Sequence, residues 1–271
     1  MSEAEREPDG TFGDVVAEFD HVDDPDVFER MKTHPALHSA LVLTRPENWW
    51  GTGLDPKLLF TIAKDEGIPV AWVPPSAVLL KLAAAPDRTS RIDVLLARKQ
   101  EIVNQCKEII LNIYDPWIAN ERALIEKAIA AYEDGHLEAA TALAVSVGDS
   151  LATWASIPRT KVFKSEAEQK AWKKILEKDR NYKLAASELS SAEDDLSLDK
   201  ILMAPIPSFF TEWHPDGKQN PPDALSRHVV AHNPTLEHFS QQNALLSLML
   251  DTSILHVMQA WCEQVRFMDS E

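Results

Sequence analysis

The chain has 271 residues, 45% of them hydrophobic, which is enough to bury a sizeable core and too apolar for a disordered protein. Its formal net charge is −16, with about half of the excess acid in residues 1–30. That disfavours a broad nucleic-acid-binding face, which needs a basic surface, but leaves room for a small local basic site.

Residues 1–33 read as an acidic, partly flexible lead-in with one short helix at PDVFERMKTH. The start has neither a basic segment nor an apolar run, so no signal peptide is expected. Residues 34–88 read as a small α/β unit. In it ALHSALVLT is a strand, RPENWWGTG a loop, and LDPKLLFTIAKDEG a helix bounded by Asp55-Pro56 and Gly67. IPVAWVP is a second short strand between prolines, and PSAVLLKLAAAP a further helix. The Trp49-Trp50 pair is either a binding surface or two rings packed against the neighbouring domain.

Residues 89–271 read as a helical domain with an insertion at about 158–220. Ile92, Leu95, Leu96, Ile102, Val103, Cys106, Ile110 and Ile113 recur at helical spacing, and Asp115-Pro116 ends that helix. A helix closed by Gly135 follows. After it Leu137, Ala140, Ala144, Val147, Leu151 and Trp154 make the seam of an antiparallel bundle. The insertion holds a capped helix at SEAEQKAWKKILEKD, with Ser165 and Glu168 in capping-box spacing, and then a long turn-rich connection. PPDALSRHVVAH is a short helix. A break at Asn233-Pro234 leads into a terminal helix from roughly Leu236 to Arg266. Its most apolar part carries Asp251, His256 and Gln259, which suits a buried helix rather than a membrane span. Cys106 and Cys262 fall in apolar helical patterns and read as reduced, buried thiols. A soluble cytoplasmic protein is expected. The fold class is mainly α, a helical bundle with a small N-terminal α/β unit.

The run LSRHVVAHNP concentrates Arg227, His228 and His232 in six residues. His228 and His232, four apart, share one helix face, while Arg227 and His232 lie roughly 140° apart around the axis. Three readings follow from the spacing: a histidine pair satisfied by acidic neighbours, a two-ligand metal unit that lacks a third ligand, or acid–base chemistry on a phosphodiester. There is no glycine-rich phosphate loop, so a P-loop nucleotide enzyme is not expected, and no cofactor or metal is assigned.

SRHVVAH, a turn and then FSQQNALLSLMLDTSILHVMQAW resemble the C-terminal part of the HEPN superfamily, which carries an Arg-x4–6-His motif ahead of its last long helix. ERALIEKAIAAYEDGHLEAATALAVSVGDSLAT resembles the central helical hairpin of that family, and the likeness covers roughly residues 90–265. Asn233-Pro234 stands where many relatives have Gly, and Asp149 where many have Glu. The resemblance implies a metal-independent endoribonuclease of toxin or phage-defence type, in which the 2′-hydroxyl of RNA is the nucleophile. His232 would then be general base or acid, Arg227 would hold the scissile phosphate, and His228 would orient them or bind phosphate. Ser226, Asn233 and Asp149 would bind substrate. It further implies a homodimer in which two motifs meet, RNA as partner, and an antitoxin or other regulatory partner. The other outcome on the same fold is a non-catalytic RNA- or nucleotide-binding or dimerisation module.

Overall fold

The computed structural model describes residues 46–155, 198–215 and 220–269, together with His38, Ser39, Val42 and Leu43. The short helix expected at PDVFERMKTH and the capped helix at SEAEQKAWKKILEKD lie outside the described residues. Those that are described form a mainly helical structure without a β-strand.

The described part of residues 34–88 therefore does not show the α/β unit expected there. His38, Ser39 and Val42 have helical backbone, not strand. The helix expected next is present as α1 (Pro56–Glu66). The Asp55 carboxylate accepts the Lys57 N–H at 2.9 Å, and Gly67 ends the helix at φ 66°. A side chain at Gly67 would also meet Ser208, its Cβ 2.7 Å from Oγ.

IPVAWVP is buried as a strand would be, but it bends at Ala71 and Trp72 and no strand pairs with it among the described residues. Its backbone bonds to side chains instead. Asn48 donates to the carbonyls of Val70 at 2.9 Å and Pro74 at 2.8 Å, and accepts the Trp72 N–H at 2.8 Å. Trp49 Nε1 donates to Val70 O, Gln105 to Trp72 O and Ser253 to Ala71 O. These bonds meet the requirement that buried peptide groups be paired, the requirement a sheet would otherwise satisfy. Trp72, at φ 61°, also breaks any ladder geometry. Of the tryptophan pair, Trp49 is buried within this arrangement.

Helices α2 (Ser76–Ala84) and α3 (Arg88–Ala97) pack on each other, and Asp87 caps α3 through the Ser90 N–H. The single helix expected from Ile92 to Ile113 is two, α3 and α4 (Lys99–Leu111), divided at Arg98 with φ −116° and ψ 17°. A one-residue break keeps the apolar stripe in step, so periodicity does not reveal it. After α4 come α5 (Ala119–Glu133) and α6 (Leu137–Ala155), the expected hairpin, with Ala140, Ala144, Val147 and Leu151 buried along its seam. The described end of the insertion is not all loop. It contains α7 (Leu198–Met203) and α8 (Ile206–Phe209), which pack on α1 with Ile201, Leu202, Ile206 and Phe209 buried.

The run at 226–233 forms α9 (Arg227–His232). The terminal helix α10 (Gln241–Asp269) starts five residues later than expected. A 3-10 turn at Leu236–His238 precedes it, and Ser240 accepts the Asn243 N–H at 3.2 Å to begin it. Helix α10 runs against α3, α4, α5 and α6. It is buried on nearly every side from Ala244 to Leu255, as a central helix must be. By length and composition it could cross a membrane, but most of its apolar stretch is buried inside the fold. One continuous hydrophobic core joins the N-terminal helices and the bundle, from Val42 to Ala260. Cys106 and Cys262 are free and buried, and burial pushes both thiols up to about 12.

Candidate functional site

The site is assembled on α9, which lies along α6. Six residues make too short a helix to stand alone, so its ends are held from outside. Ser226 begins it. Its Oγ accepts the Val229 N–H at 3.4 Å and donates to the Thr211 carbonyl at 2.7 Å, and its own N–H donates to His238 Nε2 at 3.1 Å. Ser226 is fully buried. Its polar groups cap the helix and anchor neighbouring segments. His238 is buried as well, and burial lowers its pKa, which suits a neutral acceptor.

Arg227 turns towards α6. Its Nε lies 2.8 Å from one Asp149 oxygen and its Nη2 donates to the other at 3.1 Å, a two-pronged ion pair. Both side chains remain about 30% exposed, at 28% and 30%. The guanidinium also stands over the Phe210 ring, 5.8 Å from its centre. The pair is thus fixed by three elements and still open to solvent.

His228 and His232 share the other face, as their spacing requires, with ring centres 5.1 Å apart. A third imidazole joins them. His214 meets His228 edge-on at 4.7 Å. It comes from residues 211–214, which three hydrogen bonds pin beside α9. These are the Ser226–Thr211 bond, Trp213 N–H to His228 Nδ1 at 2.9 Å, and Asn233 Nδ2 to Trp213 O at 3.4 Å. Asn233, expected to bind substrate, makes one of these anchors. His214 and His232 are exposed, and no hydrogen bond from another described residue holds either ring.

Of the residues expected from sequence, the structure therefore pairs Arg227 with Asp149 and His228 with His232. Among the described residues no hydrogen bond, ion pair or ring contact joins Arg227 to His232. The two groups sit on adjacent faces of one short helix, able to meet a ligand from two sides. His214 and Phe210 escaped the sequence reading. The only signal for them is the aromatic run FFTEWH, which stands in a stretch that reads as connection. Among the described residues no three His, Cys, Asp or Glu side chains are arranged to hold a metal ion.

Comparisons with protein-family models, with curated proteins and with solved structures give no match.

Proposed function

We propose that the chain is a metal-independent endoribonuclease of toxin or phage-defence type that cleaves RNA at the Arg227–His232 site. The observation that carries the reading is that one short capped helix carries both an anchored, part-exposed guanidinium and an exposed imidazole. This is the equipment of phosphodiester cleavage through the 2′-hydroxyl. His232 takes the 2′-hydroxyl proton, since an imidazole exchanges protons near neutral pH. Arg227 stabilises the charge that grows on the phosphate oxygens. Asp149 holds the guanidinium in position and leaves part of it exposed. The protein works in the cytoplasm as a homodimer that doubles the local positive charge, with a regulatory partner, and its overall acidity confines RNA to that place.

A second reading, a non-catalytic RNA- or nucleotide-binding or dimerisation module, draws on a different observation. Arg227 already has a carboxylate partner, and Leu111 at the end of α4 and Tyr114 and Trp117 just after it are exposed. The two readings separate in one assay. Purified protein is incubated with RNA in EDTA, wild type beside Arg227→Ala and His232→Ala. The proposal expects cleavage by wild type and a loss of about 10²–10⁴-fold in the His232→Ala protein. Cleavage by either variant at the wild-type rate, or none by wild type, would refute it.

A further inference from the structure

We infer that His214 is the second acid–base group of this site, the general acid that protonates the departing 5′-oxygen. The inference rests on the ribonuclease reading and completes its proton balance. In that reaction the 2′-oxygen gives up its proton and forms a bond to phosphorus. The bond from phosphorus to the 5′-oxygen breaks, and that oxygen must gain a proton. The products are a 2′,3′-cyclic phosphate and a 5′-hydroxyl. Two oxygens on opposite sides of phosphorus exchange protons, and two imidazoles of opposite protonation state serve both at one pH.

His232 supplies the first. His228 does not supply the second. Its Nδ1 accepts the Trp213 N–H, so the neutral ring carries its proton on Nε2. Neutral imidazole is a very weak acid, and protonating Nδ1 would break the bond that pins residues 211–214. His228 is thus held in place and touches both other rings, His214 at 4.7 Å and His232 at 5.1 Å. His214 and His232 are the exposed ones. Three hydrogen bonds from α9 and its caps hold the backbone beside His214, which gives an otherwise solvent-facing side chain a defined place.

The test uses the full chain and a leaving group that needs no proton. Wild type first maps a cleaved linkage in single-stranded RNA. That oligonucleotide is then made with sulfur in place of the bridging 5′-oxygen, because a thiolate departs unprotonated. His214→Ala and His214→Gln should cut the ordinary linkage about 10²–10⁴-fold more slowly than wild type and the sulfur-bridged one at close to the wild-type rate. His232→Ala should be slow on both. Melting curves matching wild type are expected for the His214 variants, whose side chain is exposed. Ordinary RNA cut at full rate by His214→Ala would overturn the inference while leaving the ribonuclease reading intact. So would a loss that sulfur does not restore. A wild type that cuts neither substrate would overturn both.

Discussion

Asp251 lies at the middle of α10 and is almost wholly buried, and its Oδ2 has no hydrogen-bond partner among the described residues. Desolvation raises its pKa well above the ordinary carboxylate value, because burial disfavours the charged form. Cys106 and Tyr132, close by in the same core, are both pushed up to about 12 and do not titrate in the working range. The unfolded chain releases the Asp251 proton above about pH 3.9, while the fold retains it. Stability contributed by this group is therefore complete at low pH and drains away as pH rises. The loss is about 1.4 kcal/mol for each pH unit over which the folded carboxyl stays protonated. Asp251→Asn keeps the shape and removes the titration. Urea unfolding of wild type and variant in steps from pH 4 to 7 should show the variant gaining on wild type as pH rises, by at most about 1.4 kcal/mol per pH unit. Burial of the new amide shifts the whole difference by a constant and does not alter its slope. A difference between the two proteins that is flat from pH 4 to 7 would show that burial does not raise the Asp251 pKa, and the argument would fail.

Gly148, beside Asp149 on α6, leaves room for that carboxyl. A Cβ there would lie 2.7 Å from Asp251 Oδ1 and 3.3 Å from Phe209 Cζ, so Gly148→Ala should destabilise by about 1–3 kcal/mol in chemical unfolding despite alanine's better helix propensity, and a stabilised variant would contradict this packing. His256 titrates with the opposite sign to Asp251. Burial, aided by the nearby His38, lowers its pKa to about 4, so stability is lost as pH falls from about 6.5, where the unfolded chain takes up a proton that the fold refuses. His256→Gln should lose less stability than wild type between pH 6.5 and 4.5, by at most about 1.4 kcal/mol per pH unit, and equal losses in the two proteins would remove His256 as the cause.

Helices of the bundle were legible because each carries its own signal. The buried positions of α5 and α6 recur every three or four residues, and Asp55-Pro56 and Gly67 mark the ends of α1 by local chemistry. Periodicity reports which residues face the core, but not whether the backbone between them is continuous. That is why the break at Arg98 was hidden and why IPVAWVP, apolar throughout, read as a strand. A buried irregular segment and a sheet strand have the same composition. They differ only in what satisfies their peptide groups, and here the partners Asn48, Gln105 and Ser253 come from far along the chain.

The same division runs through the site. The sequence by itself determined that Arg227, His228 and His232 share one short helix, and that His228 and His232 lie on one face while Arg227 turns away. Those relations follow from the 100° turn per residue and need no other part of the molecule. Only the tertiary structure decided what each face meets. Asp149, 78 residues upstream, clamps Arg227. Trp213 fixes His228, and His214 arrives from a stretch with no periodic signal. Ser226 became a buried cap because its neighbours Thr211 and His238 close over it. Local geometry is written in residue spacing, whereas pairings across tens of residues depend on how the whole core packs.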